Sequence, residues 1–136
     1  MSERTGFQLD FRSGEPIYEQ IVDEIRRRIT GGQLRPGDQL PTVRQMALEL
    51  RVNFNTVARA YRILDEAGII STQQGRGTYI LEADDAQAMQ RLRAVTLEDL
   101  AEDFVREAKR LGFSLAETEQ MFCNLVNRLK KDSGSS

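Results

Sequence analysis

Five arginines are spaced so that they could build a charged recognition surface: Arg44, Arg51, Arg59, Arg62 and Arg76. The stretch "RVNFNTVARAYRIL", residues 51–64, holds three of them and no acidic residue, although the chain carries 19 Lys+Arg against 21 Asp+Glu, a net charge of −2. Every basic residue before Lys109 is an arginine. A guanidinium can fork onto phosphate or onto guanine O6 and N7, whereas an ammonium acts as a point charge. Asn55 adds an amide able to pair bidentately with adenine. The net charge conceals this surface because it averages two unlike halves. Up to residue 81 there are 11 basic and 10 acidic residues, and beyond it 8 and 11. Binding a nucleic acid needs a local positive field, not a positive total. The alternative is that exposed arginines only solubilise a helix.

Other chemistries are poorly supplied. The chain has no histidine, which removes the commonest general base, the commonest metal ligand and any Ser-His-Asp or Cys-His arrangement. Its one cysteine, Cys123, sits among apolar residues and reads as a small core or interface hydrophobe. No P-loop or paired-cysteine motif occurs. No catalytic residue, metal or cofactor is therefore expected. No apolar run approaches the ~18 residues of a membrane span. The start, "MSERTGFQLD", lacks an apolar signal core, so a cytoplasmic protein without a membrane partner is expected. A length of 136 residues suggests one domain, or a small domain with an appendage. Only "DSGSS" at the end reads as disordered.

The elements that must position the arginines can be read from periodicity. Ile17, Ile21, Ile25 and Ile29 recur every four residues, with Tyr18 and Val22 widening the stripe, so "PIYEQIVDEIRRRIT" predicts a helix begun by Pro16 and ended at "GG". Pro36-Gly37-Asp38 predicts a turn anchored by Leu34 and Leu40. A short second helix starts at the capping box Thr42–Gln45, with Val43, Met46, Ala47 and Leu50 inward. Asn53 caps a third helix that buries Val57, Ala60, Tyr61 and Leu64 and ends at Gly68. Its outward face is Asn55, Ala58, Arg59 and Arg62, with Phe54 and Thr56 in the first turn. "IISTQQGRGTYIL" then predicts a β-hairpin with a glycine-rich tip. Two helices of helix-turn-helix dimensions followed directly by a hairpin make a winged helix, whose second helix of the pair enters a DNA major groove.

Residues 16–81 resemble the DNA-binding domain of the GntR family of bacterial transcription regulators, through "PIYEQIVDEIRRRITGGQLRPGDQLPTVRQMALEL", "VNFNTVARAYRILDEAGII" and "QQGRGTYI". The "VN-x-NTVARAY" form and the short helical tail look most like the YtrA-type branch. The resemblance implies double-stranded DNA as partner. It assigns contacts to Arg44 at the start of the short helix, to Asn53, Asn55, Thr56 and Arg59 on the recognition helix, and to Gly75, Arg76, Gly77 and Thr78 in the wing. Many members carry Gly at position 51 and Arg at 54 and 58, where this chain has Arg51, Phe54 and Ala58. Arg51 must then manage the turn, with a phosphate contact as an added role. Phe54 either meets a thymine methyl or packs against the wing. Base reading rests on Arg44, Asn55, Thr56 and Arg59, while Arg62 is divided between DNA and solvent.

Beyond the hairpin, "QAMQRLRAV" predicts a helical connector. "TLEDLAEDFVREAKRLG" predicts a new helix with Thr96 and Asp99 as a capping pair, and "SLAETEQMFCNLVNRLKK" another with the box Ser114–Glu117. Their apolar stripes, which include Leu100, Phe104, Leu111, Met121, Phe122, Leu125 and Leu129, are too wide to be buried by two helices alone. They pack either on the winged helix or on a second chain. The expected architecture is mainly α with a small β-hairpin: a winged helix-turn-helix over 1–81 and a two- to three-helix dimerisation domain over 82–136. The expected function is a homodimeric, sequence-specific transcriptional regulator, a repressor on an inverted-repeat operator. The alternative is a regulatory module whose C-terminal helices hold a small apolar effector, with Phe104, Met121, Phe122 and Cys123 as pocket lining.

Overall fold

The computed structural model describes residues 6–82 and 85–134. Among these residues are five helices and three strands, in the order α1 (Ile17–Thr30), β1 (Gln39–Leu40), α2 (Val43–Leu50), α3 (Phe54–Glu66), β2 (Ile70–Gln73), β3 (Gly77–Ile80), α4 (Asp85–Arg110) and α5 (Leu115–Ser133). The core gathers Ile21 and Ile25 of α1, Met46 of α2, Val57, Ile63 and Leu64 of α3, and Ile70 and Ile80 of the sheet, all fully buried. Each such side chain contributes roughly 1.5–3 kcal/mol by leaving water. Gln20 is the polar exception on α1. It is buried, and its side chain accepts from the backbone N–H of Asp10 (2.7 Å) and donates to the carbonyls of Asp10 (2.8 Å) and Glu15 (3.0 Å). The loop before α1 is thereby held against the helix without an unsatisfied buried amide.

The wing is more than the expected hairpin. β3 pairs antiparallel with β2, from Ile70 opposite Ile80 to Gln73 opposite Gly77, and on its other edge with β1, Gln39 opposite Tyr79 and Leu40 opposite Thr78. Two residues are too few to show an alternation, so "DQL" reads as the end of a turn. What makes it a strand is the partner, which also closes Gly37 N–H onto Ile80 O and Ile80 N–H onto Asp38 O, both at 2.8 Å.

The chain divides into two compact units, Met1–Thr96 and Leu97–Ser136. The division falls within α4, later than the 81/82 boundary read from the sequence. The first part of α4 belongs to the N-terminal core: Leu92 is buried there, Ala88 and Val95 pack against it, and Arg91 Nε donates to Ala67 O at 2.7 Å. No new helix begins at Thr96. Its hydroxyl donates to Leu92 O at 2.7 Å, the back-bond of a hydroxyl inside a helix rather than a cap, and Asp99 is buried in mid-helix.

In the second unit, α5 has the expected capping box, Ser114 with Glu117, and ends at Gly134, whose φ of 67° is the left-handed stop. Asp132 and Ser133 are therefore helical rather than disordered, while Ser135 and Ser136 lie outside the described residues. The rings of Phe104 and Phe122 meet at 6.0 Å between centroids. Leu100, Phe104, Leu111, Met121, Phe122, Leu125 and Leu129 nevertheless remain between 37% and 61% exposed, and Cys123 is exposed instead of lying in a core. Among the described residues, no helix is long and apolar enough to cross a membrane.

Candidate nucleic-acid interface

α2 and α3 owe their angle to the turn between them. Thr42 caps α2 by accepting from Gln45 N–H at 3.0 Å, and the Gln45 side chain accepts from Thr42 N–H at 2.9 Å. Arg51 then takes φ 58°, ψ 47°, a left-handed conformation that costs a branchless-at-Cβ residue of this kind on the order of 1 kcal/mol relative to glycine. Among the described residues it is the sole non-glycine with positive φ. Its side chain is exposed, so the position keeps a cation where a glycine would offer none. Asn53 caps α3 by accepting from Asn55 N–H at 2.7 Å. Tyr61 on the inner face of α3 donates its hydroxyl to Pro41 O at 2.7 Å. Burial pushes that phenol well above its ordinary pKa, and nearby Glu49 adds to the effect. A neutral donor thus ties α3 to the entry of α2 at any physiological pH.

Neither α2 nor α3 has an acidic residue in its first turn, whereas α1 has Glu19 and α5 has Glu117. The positive ends of the two helix dipoles are left uncompensated, which favours an approaching phosphate. Arg44 on α2 and Phe54 and Asn55 at the start of α3 are exposed, and Thr56 is half-buried. Asn55, Arg59 and Arg62 follow one another at helical spacing, away from the buried stripe Val57, Ala60, Tyr61, Leu64. Phe54 is 49% exposed, leaving its ring available to an apolar contact.

Two members of the expected face are not simply open. Arg62 lies 3.7 Å from Glu66 in an exposed pair one turn along, an arrangement of little energetic weight. Arg59 is half-buried, with its guanidinium carbon 3.9 Å from the centroid of the Tyr18 ring on α1.

The wing tip carries Arg76 exposed between Gly75 (φ 80°) and Gly77 (φ 116°). Its carbonyl accepts from the Tyr79 hydroxyl at 2.8 Å and from Gln39 Nε2 at 3.3 Å. A Cβ on Gly77 would collide with that Gln39 amide. Thr72 N–H donates to Asp65 Oδ2 at 3.3 Å, tying β2 to the end of α3. Thr78 stands apart from the other expected wing contacts. It is 4% exposed, with its hydroxyl 3.2 Å from that of Thr72, so its side chain serves the sheet and not an outward surface. Gln39 and Tyr18 escape a sequence reading because each acts on a residue far along the chain; Tyr79 escapes it because its bond to Arg76 O depends on how the wing turns.

Comparison with known proteins gives one consistent picture. The family described as "Bacterial regulatory proteins, gntR family" matches residues 17–80. The HTH-type transcriptional regulator YhcF of Bacillus subtilis is 40% identical over 107 residues, covering 79% of this chain and 87% of the relative. The HTH-type transcriptional repressor YtrA of the same organism is 49% identical over 75 residues, 55% of this chain and 58% of its own length. Among solved structures, YtrA from Sulfolobus acidocaldarius, a GntR-family transcription factor, is similar with a TM-score of 0.56 at 37% identity, over 70% of this chain and 97% of that one.

Proposed function

The chain belongs to the GntR family of DNA-binding transcription regulators, and from that premise we propose that it is a cytoplasmic homodimeric repressor reading an inverted-repeat operator. The observation that carries the reading is the outward face of α3: Asn55, Arg59 and Arg62 at helical spacing behind a capped, acid-free N-terminus. Inserted in a major groove, that face offers one bidentate amide and two guanidinium forks to base edges or phosphates. Arg44 in the first turn of α2 adds a further base-reading guanidinium, Arg51 at the turn before α3 contributes a phosphate contact, and Arg76 at the wing tip enters or straddles a minor groove, where negative potential is deepest.

The homodimer rests on the second unit. Leu100, Phe104, Leu111, Met121, Phe122, Leu125 and Leu129 each stay over a third exposed in one chain, and a second copy of the same face would bury them isologously. Repression is favoured over activation by the relative named as a transcriptional repressor.

A specific observation supports a second reading, that of a small apolar effector. The second unit has an open groove of about 520 Å³ lined by Phe104, Leu111, Phe113 and Met121, within the volume range of small-molecule sites. Phe122 and Cys123, expected in such a pocket, do not line it.

Mobility shifts at two salt concentrations test the first reading, using DNA selected from a random pool, with sedimentation of the free protein alongside. Preference for a two-fold symmetric site by a dimer is the expected result. Binding without sequence preference, or by a monomer, would reverse it.

A further inference from the structure

Resting on the reading that Arg76 enters a minor groove, we propose that Tyr79 and Gln39 are positioning residues for the wing: by closing together on the Arg76 carbonyl they fix the direction of the Arg76 side chain and so govern the preference for A·T pairs beneath the wing tip. The observation is the convergence of two donors on one backbone oxygen at the tip. Arg76 O accepts from the Tyr79 hydroxyl at 2.8 Å and from Gln39 Nε2 at 3.3 Å. Gln39 and Tyr79 are register partners across β1 and β3, so their side chains stand on one face of the sheet. Strand alternation sends the buried Thr78 and Ile80 to the other face.

Without these bonds the tip would be loose. Glycines flank Arg76 on both sides, Gly75 at φ 80° and Gly77 at φ 116°, and glycine has the widest choice of backbone angles and the most entropy to lose. Three hydrogen bonds remove that freedom. Arg76 N–H donates to Gln73 O at 2.9 Å and fixes the peptide plane before its Cα. Tyr79 and Gln39 fix the plane after it and fill both lone pairs of the carbonyl oxygen. Because each peptide is planar, holding the two planes sets the direction of the Cα–Cβ bond between them. Entering a narrow groove requires the arginine to leave the tip in one direction, and restraint beforehand reduces the entropy lost on docking. A phosphate on the outer backbone accepts N–H groups from many directions, so general attraction to DNA needs no such restraint. The minor groove is narrowest and most negative over A·T tracts, and guanine places an N2 amino group in it. A held tip therefore matters for the choice of A·T over G·C and little for non-specific binding.

The full chain is assayed on an operator selected from a random DNA pool and on a mixed-sequence duplex. Each A·T pair of the operator is exchanged for G·C and for inosine·C, which keeps the major-groove acceptors of G·C but lacks the amino group in the minor groove. The pairs under the wing are those at which Arg76→Ala flattens the preference for A·T over G·C, and there the parent should accept inosine·C nearly as well as A·T. Tyr79→Phe keeps the ring and removes only the donor, and Gln39→Met keeps the side-chain length. At those pairs Tyr79→Phe is expected to lose roughly 2- to 10-fold of the A·T preference, and the double variant more. Affinity for the mixed-sequence duplex stays within about twofold and the salt slope is unchanged, since no charge is lost. In an Arg76→Ala background neither substitution adds a loss. A double variant that keeps the parent's preference overturns the inference and leaves the minor-groove role of Arg76 standing. A loss that persists without Arg76 overturns it too, because Tyr79 or Gln39 would then touch DNA directly. If Arg76→Ala flattens no pair, or inosine·C is rejected like G·C, the minor-groove role of Arg76 falls and this inference with it.

Discussion

Replacing Gly77 with alanine strikes the wing in two ways that can be measured apart. The backbone there has φ 116°, where a side chain at Cβ is strained by on the order of 1–3 kcal/mol. The new Cβ would also collide with Gln39 Nε2. Gln39 presents the free end of a flexible side chain, so it can swing aside. In doing so it gives up its 3.3 Å bond to Arg76 O, a loss of about 0.5–1.5 kcal/mol. Together the variant should be less stable by roughly 1.5–4.5 kcal/mol. Domains of this kind hold about 5–15 kcal/mol in reserve, so the chain should still fold. Urea unfolding of Gly77→Ala, Gln39→Ala and the double variant provides the assay. With Gln39 already truncated there is neither collision nor bond to lose, so Gly77→Ala should cost less in that background, by about 0.5–1.5 kcal/mol. A change below about 0.5 kcal/mol for Gly77→Ala would mean that the wing does not adopt this conformation. Strict additivity would mean that the Gln39 bond carries no energy.

Arg59→Ala should cost about 1–3 kcal/mol on the operator and flatten preference at one base pair; an equal loss on all sequences would make Arg59 a phosphate contact. Arg76→Ala should weaken binding and lower the salt slope by about one, and an unchanged slope would mean that the wing tip stays clear of DNA. Phe104→Glu or Leu125→Glu places a charge on the face proposed to join two chains. Either variant should sediment as a monomer and lose an avidity gain of ~10²–10⁴; dimers of normal affinity would count against that interface. A chain cut after residue 81 lacks buried Leu92 and the Arg91–Ala67 bond, so it should unfold at lower urea than one cut after 96, by roughly 2–4 kcal/mol. Coincident transitions would show that α4 adds nothing to the N-terminal core.

Much of the candidate interface is legible along the chain, for identifiable reasons. Thr42–Gln45, Asn53 and Ser114–Glu117 are caps whose partners lie within three residues, so their chemistry is visible in short strings. The same holds for the stripe Val57, Ala60, Tyr61, Leu64. Thr96 and Asp99 have the same local spacing without being a cap. Thr and Asp three apart resemble a cap, but a helix already running through Leu92, packed on the core, offers no free N–H groups there and turns the hydroxyl backwards. The resemblance assigns Thr78 to the wing's DNA contacts together with Gly75, Arg76 and Gly77. Strand alternation sends its side chain inward instead.

By itself the sequence determined the elements that need only near neighbours: where helices start and stop, which face of each is apolar, where the chain must turn through Arg51 and the wing glycines. It also determined the local charge, since an acid-free run of arginines cannot be altered by folding. The tertiary structure alone decided what those arginines lean on and what holds the wing. Tyr18 reaches Arg59 from another helix, Gln39 reaches Arg76 across 37 residues and Tyr61 reaches Pro41 across 20. None of these pairings is implied by a period of 2 or 3.6, because each depends on how one element is rotated against the next. That rotation is set by close packing of Ile21, Ile25, Val57 and Leu64, which admits few arrangements of interlocking side chains.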